Sequence, residues 1–161
     1  MEKTKKIVLC ALHFSLIFTA TSLLKIPNGL QGYIHLGDVF ILLYANIASP
    51  FYACIACGGA SMLADLISGY TIYMIPTFFI KAIEALIIVY LLKKQPSNNL
   101  YIYVLATSFM VLGYFVFESM IYDWRVALLS IPANLIQAIS SIFLCKLVLS
   151  TYTKQLQQFL K

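Results

Sequence analysis

At 161 residues, 61% of them hydrophobic and 11% charged, with a mean hydropathy of +0.89, the chain has too little polar surface for a soluble globule, where charged residues typically reach about 25%. At about 20 residues per lipid-spanning helix plus short turns, it has room for roughly six helices and no second, soluble domain. The formal net charge of +5 needs no nucleic-acid partner, because most of the lysines are placed to meet anionic membrane lipid.

The apolar runs, separated at Gly, Pro, Asn and charge clusters, predict helices over 7–24, 36–49, 51–68, 73–92, 100–121 and 126–149. The fold class is an all-α membrane protein, a compact bundle of six transmembrane helices forming one domain over 1–161. Helix 1 follows Lys3, Lys5 and Lys6, as a secretory signal would. Its apolar stretch is long for a signal, Thr19-Ala20-Thr21-Ser22 is a weak cleavage site, and further spans follow, so it reads as a retained helix. Ala11, Ser15 and Thr19 form a small-residue stripe on it. Such stripes let helix backbones approach closely in lipid, and the spacing fits packing within the bundle as well as docking of a separate membrane subunit.

The stretch from Lys25 to His35 holds two glycines and a proline, suited to a shaped loop folding over a pocket. His35 is expected there as an exposed loop residue rather than a ligand group. Asp38 opens helix 2 and is placed to cap its N-terminus. Helix 2 is short for a span and ends at Ser49-Pro50, which predicts a tilted or partly embedded helix turning tightly into helix 3.

Helix 3 repeats the small-residue stripe with Ala56, Ala60 and Ala64. Its Cys54 and Cys57 form a C-x-x-C with no second pair and no nearby His, and Cys10 and Cys145 stand alone, so no structural metal site is expected and the thiols read as packing groups. Asp65 lies near the end of helix 3, before Gly69-Tyr70, at the same membrane face as the 25–35 loop.

Ionisable groups inside lipid-spanning segments are costly and by default mark a substrate or ion site facing the protein interior. Thr77, Lys81 and Glu84 (i, i+4, i+7) share one face of helix 4. Ser130, Asn134, Gln137 and Ser141 (i, i+4, i+7, i+11) share one face of helix 6. Counted from Tyr73 and Arg125, Lys81, Glu84, Asn134 and Gln137 fall at similar depth, about 12–18 Å below the boundary at a rise of roughly 1.5 Å per residue, and can converge on one ligand. Helix 5 adds Thr107, Tyr114 and Glu118, giving the mix of aromatic walls and hydrogen-bonding groups found in small-molecule sites. The alternative is structural: Lys81 pairs with Glu84 while Asn134 and Gln137 bond between helices.

Orientation follows the lysines. Lys3, Lys5, Lys6, Lys93, Lys94, Lys146, Lys154 and Lys161 fall on one side, and only Lys25 and Arg125 flank the other, so both termini are expected in the cytoplasm and the loops near Lys25 and Arg125 outside.

Five segments, taken together, resemble a known family: Gly32-Tyr33-Ile34-His35-Leu36-Gly37-Asp38, Ala64-Asp65-Leu66-Ile67-Ser68-Gly69-Tyr70, Pro76-Thr77 with Lys81 and Glu84, Gly113-Tyr114, and Pro132-Ala133-Asn134-Leu135-Ile136-Gln137. In this order they look like the substrate-binding S components of energy-coupling factor (ECF) vitamin transporters, nearest to the pyridoxine or hydroxymethylpyrimidine group that is classed with the riboflavin type. The resemblance implies a multi-pass protein of the bacterial cell membrane that captures a vitamin or precursor from outside. It implies partners too: a transmembrane coupling protein and two cytoplasmic ATPases, in keeping with the lack of a Walker motif in this chain. Substrate binding is then expected at Lys81, Glu84, Asn134, Gln137, Tyr114, Glu118, Asp38 and Tyr33. Docking of the coupling protein is expected at Ala11 and Ser15, where Ala11-Leu12-His13-Phe14-Ser15 is similar to the family's Ala-x-x-x-Ala contact.

No cofactor and no catalysis are expected. Leu36-Gly37-Asp38 and Tyr122-Asp123 look like the motifs of aspartyl intramembrane proteases, but His35 replaces the first glycine and the motif order is reversed, so an aspartyl dyad sharing a proton is not supported. An autonomous proton-coupled carrier using Glu84 or Glu118 is the alternative function.

Overall fold

A computed structural model describes residues 3–27, 33–95 and 99–160. Six helices and one small hairpin follow in order: α1 (Lys3–Leu23), β1 (Lys25–Pro27), β2 (Tyr33–His35), α2 (Gly37–Ala45), α3 (Pro50–Ile67), α4 (Thr71–Lys94), α5 (Asn99–Ile121) and α6 (Trp124–Leu160). All except α2 are long and apolar enough to cross a membrane. Large side chains such as Leu12, Phe79, Leu112, Ile139 and Phe143 are exposed. In lipid they carry no hydrophobic penalty.

α2 differs from the 36–49 run read in the sequence. It has nine residues, about 14 Å at 1.5 Å per residue, under half of a ~30 Å hydrocarbon layer. Every residue of it except Phe40 is buried. Asn46 ends it: Nδ2 donates to the Leu42 carbonyl at 2.6 Å, and Oδ1 accepts from the Tyr103 hydroxyl at 2.8 Å. The expected loop is instead an antiparallel hairpin, with Lys25 opposite His35, Ile26 opposite Ile34 and Pro27 opposite Tyr33. Residues 28–32 of that loop and Lys161 lie outside the described residues.

α3 contains a π-helical turn over Cys54–Gly58. A Cβ on Gly58 would come within 2.7 Å of the Phe78 carbonyl oxygen, so glycine is what permits α3 and α4 to approach here. Ala56, Ala60 and Ala64 are fully buried, and that stripe packs inside the bundle. The α1 stripe faces the other way, with Ala11, Ser15 and Thr19 exposed. Cys10, Cys57 and Cys145 are buried and all four cysteines are free. Gly69, at φ +85°, ends α3 in the left-handed region that glycine adopts without a Cβ penalty.

α6 runs 37 residues, well beyond the expected end at 149, with Pro132 inside it. Proline cannot donate to the carbonyl one turn back, so that turn of α6 lacks a ladder bond. The main apolar core joins α1 to α6 around Ile17, Leu42, Ala56, Ile88, Tyr103 and Cys145. A smaller cluster of Ile80, Met110, Val111 and Ala138 lies among α4, α5 and α6.

Candidate functional site

Two layers of polar groups gather at the end of the bundle that carries the hairpin. The deeper layer is an ionic cluster with no solvent access. Lys81 Nζ donates to Asp38 Oδ1 at 2.6 Å and to Glu84 Oε2 at 3.2 Å, and all three side chains are 0% exposed. Gln137 Nε2 donates to Asp38 Oδ2 at 2.8 Å, while its Oε1 accepts the His35 backbone N–H at 3.0 Å. One amide on α6 thereby ties α2 to the hairpin.

Asp38 does not cap α2 as expected; the cap position is Leu36, and no side chain bonds the helix start. A buried ammonium offers the carboxylate a charge-assisted bond, stronger than one to a neutral backbone N–H. His35 is likewise corrected: it is 7% exposed and lines the cavity described below, because strand pairing sets it on the same face as Tyr33. Its Nδ1 accepts the Gly37 N–H at 3.1 Å, which assigns the proton of the neutral ring to Nε2. Burial pushes this imidazole down to about 4, with the Asp38 carboxylate opposing that shift and the Lys81 charge reinforcing it. At neutral pH His35 is uncharged.

The outer layer lines a cavity of about 420 Å³ counting the open space at its mouth. Its wall is Tyr33 and His35 from the hairpin, Asp65 from α3, Tyr70 between α3 and α4, Tyr73 and Thr77 from α4, Tyr114 and Glu118 from α5, and Asn134 and Gln137 from α6. Tyr33 and Tyr70 rings lie 4.9 Å apart, and Tyr33 and His35 rings 5.4 Å apart. The Tyr33 hydroxyl donates to Asp65 Oδ1 at 2.6 Å, that of Tyr114 to Thr77 Oγ1 at 3.2 Å, and that of Tyr73 to Glu118 Oε1 at 3.3 Å. Ser130 donates to the other Glu118 oxygen. Burial raises the Tyr33 phenol, and the neighbouring Asp65 charge adds to the effect, so it remains a donor at any physiological pH.

Of the residues singled out in the sequence, Tyr33, Tyr114, Glu118, Asn134 and Gln137 stand together on the wall, and Asp38, Lys81 and Glu84 sit behind it. Gln137 belongs to both layers, and Lys81 Nζ lies 5.7 Å from the centre of the Tyr114 ring. The wall residues not counted as site residues from the sequence are His35, Asp65, Tyr70, Tyr73 and Thr77. Asp65 carried the same signal as Lys81, an ionisable group in an apolar helix; Tyr70 and Tyr73 carried none beyond being aromatic near a turn. On α1, exposed Ala11 and Ser15 border a shallow groove with Ile7, Phe14, Tyr52 and Ile55. The Ser15 hydroxyl donates back to the Ala11 carbonyl at 3.0 Å.

Comparison with known proteins relates the chain to a family and to an archaeal protein. A family model described as "ECF-type riboflavin transporter, S component" matches residues 1–154. A protein of Pyrococcus woesei described as "Uncharacterized protein in gap 3'region" is 31% identical over 131 residues, which cover 80% of this chain and 88% of that protein.

Proposed function

We propose, for a chain that belongs to the family of ECF-type riboflavin transporter S components, a substrate and a working cycle. As a member of that family it is a multi-pass membrane protein, the substrate-binding subunit of an ECF transporter and not an enzyme. S components bind a vitamin and work with a membrane T component and ATPases.

The ligand is a vitamin or precursor built on a single heteroaromatic ring with hydroxymethyl groups, pyridoxine or hydroxymethylpyrimidine, captured from outside for ATP-driven uptake. The observation that carries this is the cavity: tyrosine rings to hold a flat ring, with carboxylate, amide and hydroxyl groups spaced around them. The ionic cluster closes the space beneath Gln137, which suits one ring better than a tricyclic flavin. Lys81, Glu84 and Asp38 fix the wall from behind, and Tyr33, Tyr114, Glu118, Asn134 and Gln137 meet the ligand. Both termini lie in the cytoplasm, and exposed Ala11 and Ser15 let a helix of the coupling protein approach α1 closely.

Mass spectrometry of small molecules released from the purified protein tests the ligand; recovery of riboflavin instead would overturn the single-ring assignment. Liposome reconstitution tests the cycle. Alone, the chain should bind without accumulating ligand, since affinity shifts populations but does not drive accumulation; with T component, ATPases and ATP it should concentrate it. Concentrative uptake by this chain alone under a proton gradient would establish the autonomous carrier.

A further inference from the structure

The cavity wall holds two carboxylates, and their surroundings differ. Glu118 has both oxygens engaged, one by the Tyr73 hydroxyl and one by Ser130. Asp65, 5% exposed, has Oδ1 engaged by Tyr33 at 2.6 Å, and the Thr77 hydroxyl lies beside the carboxylate. Its Oδ2 is buried and has no hydrogen-bond partner among the described residues. A buried carboxylate oxygen left unpaired is costly; Glu84 Oε1 is another, sealed in the ionic cluster, whereas Asp65 belongs to the cavity wall, where a ligand can supply the donor.

The charges around the cavity point the same way. Among the described residues no lysine or arginine lines it. Lys81 is held behind the wall by Asp38 and Glu84, and Lys25 Nζ donates to Ser68 Oγ at 2.8 Å. A ligand phosphate or carboxylate would meet two acids in the wall, with Lys25 Nζ 5.7 Å from the Tyr33 ring centre as the cation beside it; an N–H donor would meet an unpaired acceptor.

Resting on the substrate-binding reading above, we propose that Asp65 is the specificity-determining residue of this cavity. Its Oδ2 accepts an N–H from an amino group or protonated ring nitrogen, so the site takes a heteroaromatic base and rejects that base's phosphate ester. The ring lies among the tyrosines, and Tyr33, bonded to the other Asp65 oxygen, holds the carboxylate in place.

Calorimetric titration of the full chain in nanodiscs tests this with two probes. 4-Amino-5-hydroxymethyl-2-methylpyrimidine is compared with its 4-methyl analogue, pyridoxine with its benzene analogue, and each base with its phosphate ester. For whichever base binds, removing the N–H donor or adding phosphate should weaken binding by about ten- to hundredfold, the scale of a charge-assisted bond. In Asp65→Asn the preference for the donor-bearing base should shrink to less than about threefold. Equal affinity for base and donor-free analogue, or tighter binding of the phosphate ester, would overturn the role of Asp65 and leave the substrate-binding reading standing. Failure of both bases to bind would overturn this proposal together with the single-ring assignment. If Asp65→Asn does not fold, the comparison among ligands on the wild-type protein decides.

Discussion

The Asp38–Lys81–Glu84 cluster and the cavity wall just outside it are both polar islands in an apolar bundle, yet they are built on opposite terms. Within the cluster, protein meets protein: an ammonium between two carboxylates, and an amide closing one of them. Each island keeps one buried carboxylate oxygen without a partner among the described residues, Glu84 Oε1 in the cluster and Asp65 Oδ2 in the wall, but only the wall faces its rings into open space. Burial therefore separates groups that hold the helices in place from groups left for a ligand, although both kinds occupy the same helix faces.

The strongest way to break this comparison is to remove the cation. Lys81→Met keeps the volume but leaves the buried Asp38 carboxylate without its ion-pair partner, and should cost about 3–5 kcal/mol of stability, read as a large fall in the thermal midpoint in detergent. A variant as stable as wild type that lost only ligand binding would move Lys81 into the ligand shell. Next in size is pH. The His35 imidazole, held down to about 4, refuses a proton that the unfolded chain accepts near 6.5. The unfolded state thus binds more protons between those values, so stability falls as pH drops through that window, by up to about 3 kcal/mol, and levels off below it. His35→Asn should remove this part of the acid sensitivity; melting curves at pH 4.5 and 7 that change equally in both proteins would reject it.

On the wall the effect should move from stability to affinity. Asn134→Ala should weaken ligand binding by about 1–3 kcal/mol, the cost of an unsatisfied buried polar partner, with the melting midpoint nearly unchanged; calorimetry with the identified ligand reads it. Smallest in the isolated protein is Ala11→Trp. This residue is exposed and far from both islands, so stability and affinity should stay within about 0.5 kcal/mol of wild type. Uptake in the assembled transporter should nonetheless be abolished, because a large side chain blocks close helix approach. Full uptake by this variant would remove helix 1 as the docking surface.

The helix order and the polar faces of α4 and α6 were legible in the sequence because their period is strong and their neighbours uniformly apolar. Depth was not. Lys81 and Asn134 sit at matching distances along their helices, but the partner that seals Lys81 away is Asp38, 43 residues distant, and no local pattern encodes that meeting. The hairpin was hidden for a similar reason: two three-residue strands lie below any periodicity, so the burial of His35 had no local sign. The span of α2 was overread because Asn46-Ile47-Ala48 continues the apolar run, while the Asn46 side chain bonds the Leu42 carbonyl and the Tyr103 hydroxyl where the helix ends.

That short helix bears on how the protein enters the bilayer. Nine residues are too few to partition into lipid as an independent span, and one of them, Asp38, is a carboxylate whose partners come from α4 and α6. During biogenesis the chain between α1 and α3 therefore has no stable membrane position of its own. Its folded position requires Lys81 of α4 and Gln137 of α6 as partners for Asp38, so its insertion is expected to depend on assembly with the independently stable spans that membrane proteins insert first.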